Sequence, residues 1–184
     1  MRETPSALLP VEASARRLFD QAIEHCRRRE GKTREDTLER LRAGDVDVHS
    51  TLRYALAKEL GQYLGGLGVA FHAIYVYGSA MTESSSPCSD IDVIVVVDRR
   101  RDEVDRLLRG LDLALVARFR ALFPRSSAMP SLLDVHVVEA GEHDENSDGA
   151  AFMGAFTRPV CLWRLPSEVD GGTAGDSLAR VSLR

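Results

Sequence analysis

Residues 77–98 read YGSAMTESSSPCSDIDVIVVVD, and their parsing decides what kind of fold surrounds them. Gly78 and Ser79 open the stretch, a polar loop follows, and Asp90-x-Asp92 stands at the mouth of an apolar run, residues 93–97. A near-continuous run of Val and Ile of this length predicts a strand buried on both faces. Side chains alternate along a strand, so the spacing puts Asp90 and Asp92 on one face and Ile91 on the other. Two carboxylates about 7 Å apart on one strand face repel unless something positive lies between them. A hard divalent cation with oxygen ligands is the natural partner.

Outward from this stretch the periodicity alternates. Residues 69–77 are β-branched and aromatic and predict a strand. Residues 102–123 return to helical spacing through Val104, Leu107, Leu108, Leu111, Leu115 and Phe119. Residues 132–138 predict another strand, and residues 159–165 a last short one. Upstream, Pro10 starts an amphipathic helix whose inward face is Val11, Ala15, Leu18, Phe19, Ala22, Ile23 and Cys26. Gly31 ends it, and Thr33 with Asp36 reads as a capping box for a short helix carrying Leu38 and Leu41, stopped by Gly44. A third helix is expected over residues 48–64, ended by Gly65 and Gly66. Helices followed by alternating strands and helices predict an α+β sandwich on one mixed sheet. The expected organisation is an N-terminal helical extension (residues 1–46), a main domain (47–165) and a poorly ordered tail rich in Gly, Ser, Thr and Asp (166–184).

The chain has 184 residues and a formal charge of −4, which gives no global field for nucleic acid or an anionic membrane. No apolar stretch is long enough for a transmembrane helix. The first residues, MRETPSALLPVEASARR, lack the apolar core of a signal peptide. Cys26, Cys88 and Cys161 are odd in number without C-x-x-C spacing, so free thiols and a cytoplasmic location are expected. Arg27, Arg28 and Arg29, like Arg99, Arg100 and Arg101, read as solvated helix ends, the acidic stretch 141–149 as a surface turn, and Trp163 as core packing.

The position of Asp90-x-Asp92 narrows its chemistry. In haloacid-dehalogenase-type enzymes and nucleotide-sugar glycosyltransferases the pair follows its strand, whereas here it precedes one. An EF-hand is excluded because its third acidic position and its glycine are missing. Gly78-Ser79 directly after a strand supplies free N–H groups and a hydroxyl where the backbone can approach phosphate oxygens. Asp134 in SLLDVHVV adds a carboxylate among apolar neighbours, expensive without a partner. Glu139 has the opposite strand parity and Asp112 falls on a helix, so Asp134 is the expected third acid. His136 shares the Asp134 face and is a further candidate contact.

Gly78-Ser79, then Asp90-x-Asp92 leading an apolar strand, a helix, and Asp134 on a later strand together resemble the DNA polymerase β-like nucleotidyltransferase superfamily, in particular its small stand-alone members. The resemblance covers residues 52–138. It implies a nucleotidyltransferase-like sheet backed by helices, with Gly78, Ser79 and Ser89 contacting a nucleoside triphosphate, ATP being the expected one. It further implies Asp90, Asp92 and Asp134 as ligands to two Mg²⁺ (Mn²⁺ also suits), and an acceptor hydroxyl attacking the α-phosphate. Asp134 would help deprotonate that acceptor, whose identity stays open. Two metals about 3.5–4 Å apart would stabilise the entering and leaving oxygens. Small members commonly read Gly-Ser-Arg-x-Arg-Gly, whereas this chain has Ala80, Met81, Thr82 and Glu83. That departure motivates the alternative: a non-catalytic, antitoxin-like protein that keeps the fold to bind a helical protein partner.

Overall fold

The computed structural model describes residues 11–67, 71–82, 85–124, 129–140 and 159–166. The expected acidic turn at 141–149, the tail beyond Pro166, and Glu83 and Ser84 lie outside the described residues. Three helices come first: α1 (Val11–Glu30), α2 (Arg34–Ala43) and α3 (Val46–Gly66). Strand β1 (Phe71–Tyr77) runs into a 3₁₀ turn (Gly78–Met81), and β2 (Ile91–Val97), α4 (Asp102–Leu122), β3 (Leu133–Glu139) and β4 (Val160–Arg164) follow.

Local chemistry sets the helix ends. The Thr33 hydroxyl accepts from the Asp36 N–H at 3.1 Å while the Thr33 N–H reaches back to the Asp36 carboxylate at 3.4 Å, the predicted capping box. Asp45 caps α3 by accepting from the Val48 N–H at 3.3 Å. α3 is buried on nearly every side, including His49, Ser50, Thr51 and Arg53 near its start. Gly65 lets β4 lie close, since a Cβ there would collide with the Trp163 indole. Trp163 thus packs, partly buried, against the core, as expected.

The four strands form one mixed sheet in the order β3-β2-β1-β4. β1 is antiparallel to both β2 and β4, while β2 and β3 are parallel and joined through α4. Val93, Val95 and Val97 point into the main core with Ile74, Val76 and the apolar faces of α1, α3 and α4. Ile94 and Val96 take the opposite face and pack with Ala73, Tyr77 and Val138. Both faces of β2 are thus buried, which is why its sequence does not alternate. The architecture is an α+β sandwich, and α1 shares its core with the sheet. Among the described residues no helix is long and apolar enough to cross a membrane.

Candidate active site

The sheet register brings Tyr77, Asp92 and Asp134 into one row across three strands: Tyr77 pairs with Asp92, and Asp92 with Asp134. Asp92 shares strand parity with Ile94 and Val96, so it belongs to the sheet face away from the helices. It is half-buried, and its carboxyl is held above the ordinary range by burial first, then by Asp90, then by Asp134. The same surroundings push the Tyr77 phenol up to about 12, through burial and then Asp92, Asp134 and Asp90. Asp92 therefore feels both of the other acids. Among the described residues no lysine or arginine forms an ion pair with any of them.

Gly78 fixes how the turn meets this row. Its φ of 70° is left-handed, and a Cβ would collide with the Asp92 carboxylate oxygen and stand 2.9 Å from its carbon. Only a glycine lets the backbone lie directly on Asp92 in that conformation. Ser79 follows; its carbonyl accepts from the Thr82 N–H at 3.3 Å and its hydroxyl from the Ser85 hydroxyl at 3.4 Å. The Ser85 N–H donates to the Ser50 hydroxyl at 2.9 Å, which ties the loop to α3. A cleft of about 170 Å³ beside the turn is lined by Arg29, Ser50, Thr51, Tyr54, Ala80 and Met81. The Ser89 hydroxyl is engaged within its own loop, accepting from the Ser86 N–H at 2.9 Å.

Two expectations change. β2 begins at Ile91, so Asp90 is not on the strand with Asp92; it sits in the loop before it, exposed. The strand alone does not hold it. Asp134 is also exposed, because β3 is an edge strand, and the burial penalty expected for it does not arise. Its neighbour is His136, whose Nε2 lies 3.6 Å from the Asp134 carboxylate and whose ring centre is 6.4 Å from that of Tyr77. The rival acids have other duties. Asp112 accepts from the N–H groups of Leu132 (2.8 Å) and Leu133 (2.9 Å), anchoring the start of β3 to α4, and Glu139 accepts from the Arg100 N–H.

No family model, curated protein or solved structure matches this chain.

Asp90, Asp92 and Asp134 offer oxygen donors only, the kind a hard divalent cation takes, and Asp92 lies under a turn whose backbone only glycine can supply. Among the described residues no three His, Cys, Asp or Glu side chains already converge as a ligand shell. Sequence reading missed Arg53, a buried arginine on α3 that donates to the Ser89 carbonyl at 2.7 Å. Its available signal was the i, i+4 spacing of His49 and Arg53, which puts both on one helix face.

Proposed function

We propose that this protein is a divalent-metal-dependent nucleotidyltransferase of the DNA polymerase β-like kind, transferring a nucleoside monophosphate from a nucleoside triphosphate, ATP first among candidates, to a hydroxyl acceptor. One observation carries the reading. Asp92 is half-buried against two further carboxylates and under the Gly78 backbone, an arrangement that is unfavourable until a cation enters it. Asp90, Asp92 and Asp134 would hold Mg²⁺ or Mn²⁺. Such ions, when bound, neutralise charge on the entering and leaving oxygens.

The chain's own residues do the rest. Ser79 would offer a hydroxyl at the end of β1, where the Gly78 backbone lies close on Asp92 and phosphate oxygens would approach it. The turn has no basic residue among Ala80, Met81 and Thr82, but Arg29 at the end of α1 lines the cleft beside it. That cleft, with the Ser50 and Thr51 hydroxyls, suits the outer phosphates of the triphosphate. In the reaction the acceptor O–H oxygen bonds to the α-phosphorus as the bond to the bridging oxygen breaks. Pyrophosphate leaves with that electron pair. Asp134, exposed at the sheet edge, would take the acceptor proton. The free thiols of Cys26, Cys88 and Cys161 suit a cytoplasmic setting.

The test is incubation with Mg²⁺ or Mn²⁺ and each α-labelled nucleoside triphosphate, with and without cell extract, followed by separation of labelled products and pyrophosphate. Label transfer that Asp92→Asn abolishes is expected. Absence of transfer and of nucleotide-dependent metal binding would overturn the reading. A second reading, a non-catalytic protein that binds a helical partner, is favoured by the turn's lack of arginines. It predicts a stable complex that forms equally well with Asp92→Asn.

A further inference from the structure

Asp90 lies outside β2, so something other than the sheet must place it. The preceding residues, Pro87 and Ser89, each offer a backbone carbonyl to the same side chain. Arg53 donates from Nε to the Ser89 oxygen at 2.7 Å and from Nη2 to the Pro87 oxygen at 3.1 Å. Its third nitrogen, Nη1, is 3.0 Å from His49 Nδ1, and the guanidinium carbon stands 5.4 Å from the centre of the Phe119 ring. His49 in turn has Nε2 at 2.8 Å from the Leu41 carbonyl. A carbonyl can only accept, so Nε2 carries the proton and Nδ1 is left to accept from Arg53. Burial holds the His49 imidazole down to about 4, which keeps that neutral form at physiological pH.

Arg53 is 1% exposed, and among the described residues no carboxylate is within ion-pair distance of it. Burial disfavours the Arg53 charge and holds the guanidinium down to about 10, Cys88 and Asp90 offsetting that only in part, and an apolar residue of similar volume would pack more favourably on Phe119. What a hydrocarbon cannot do is grip two carbonyls two residues apart with a planar, charged fork. The loop so gripped leads directly into Asp90.

We infer that Arg53 is a positioning residue: seated on His49, it fixes the segment from Pro87 to Ser89, so that Asp90 is held from its N-terminal side while β2 begins only after it. This rests on the metal-dependent reading above. Arg53 touches neither cation nor nucleotide; it acts through the backbone next to a ligand, as outer-shell partners of metal sites do.

The test measures Mn²⁺ binding, by electron paramagnetic resonance of the free ion, on the intact chain at a temperature where circular dichroism shows each variant folded. Arg53→Lys keeps the charge but loses the fork, and should bind Mn²⁺ about 10–100-fold more weakly than wild type. His49→Gln leaves Arg53 in place, keeps a donor for Leu41 and removes the acceptor that seats the guanidinium. Its amide reaches the Nε2 position and leaves no acceptor at the Nδ1 position, so it should weaken binding about tenfold, and it carries the test if Arg53→Lys does not fold. His49→Asn retains an acceptor near the Nδ1 position and should bind Mn²⁺ nearly as wild type does. A lower melting temperature with unchanged Mn²⁺ affinity in Arg53→Lys and His49→Gln would make Arg53 a purely structural residue and overturn the inference. Failure of the wild type itself to bind Mn²⁺ would instead overturn the metal-dependent reading, and this inference with it.

Discussion

A methyl group on Gly78 would run into the Asp92 carboxylate while the backbone holds a φ of 70°, so Gly78→Ala faces strain from two directions. Backbone strain of this kind costs about 1–3 kcal/mol, and each kcal/mol lowers Tm by about 2–4 °C in a domain of this size. We expect Gly78→Ala to melt at least 2–4 °C lower and to bind Mn²⁺ more weakly, because relief of the collision displaces Asp92. Unchanged Mn²⁺ affinity in the folded variant would mean that the turn and the acid are independent. The collision also means that this substitution cannot separate phosphate binding from acid placement. Ser79→Ala can, since it removes a hydroxyl and almost no volume. If that hydroxyl meets a phosphate, its loss should weaken nucleotide binding by about 1.5–3 kcal/mol, roughly ten- to hundredfold, with little change in melting of the unliganded protein. Isothermal titration with ATP in the presence of Mg²⁺ checks this, and equal affinities would make Gly78-Ser79 only a turn.

Between elements, Asp112 on α4 determines where β3 begins. It accepts two backbone N–H groups and the Ser131 hydroxyl at 3.0 Å, and Leu132 then gives its carbonyl to the Ile91 N–H at 2.9 Å. Asp112→Ala should cost about 1.5–3 kcal/mol in denaturant unfolding, since it strands donors that had a charged acceptor. The register that sets Asp134 beside Asp92 depends on this anchor, so Mn²⁺ affinity should fall too; a loss of stability alone would show that β2 holds β3 unaided. Asp112 illustrates what the sequence conceals. Its helical position was readable from Leu108, Leu111 and Leu115, but its partners come from the far side of the loop to β3. The elements themselves, the capping box at Thr33 and the doubly buried β2 were legible, because periodicity and caps are local. Strand parity gave Asp134 and His136 one face; the grouping of Asp92 with Asp134 came with the resemblance and needs the β2–β3 register, which the sequence does not carry. Asp134's exposure was not legible, since whether a strand lies at an edge is a property of the sheet. Nor was the support of Asp90, because Arg53 is 36 residues from Ser89 in sequence.

Across the whole molecule, the pH dependence that this acid cluster gives to stability should reverse when a cation binds it. Burial and two acidic neighbours hold the Asp92 carboxyl above its usual value near 3.8, so the native state takes up that proton more readily than the unfolded chain. Without metal, the stability contributed by this group is greatest below the unfolded value and declines as pH rises through the folded one. Asp92→Asn removes the charge, so the variant should melt above the wild type at neutral pH in the presence of a chelator. Screening at a half-exposed site keeps the gain near about 1 kcal/mol, or roughly 2–4 °C. The gap between the two proteins should narrow as pH falls through the folded value and close below the unfolded value of 3.8, where the carboxyl is neutral in both states. With Mn²⁺ the order inverts. A cation that binds only the native state adds RT ln(1 + [L]/Kd), about 2.7 kcal/mol at a hundredfold excess over Kd, or roughly 5–10 °C. That gain needs ionised ligands, so it is present at neutral pH and is lost as protons compete on acidification. Wild type should therefore melt below Asp92→Asn with chelator and above it with Mn²⁺ at pH 7. Scanning calorimetry of both proteins in both conditions decides the matter: a wild type that melts above the variant even with chelator would mean the three carboxylates do not repel in the native state, and the case for a cation between them would fall.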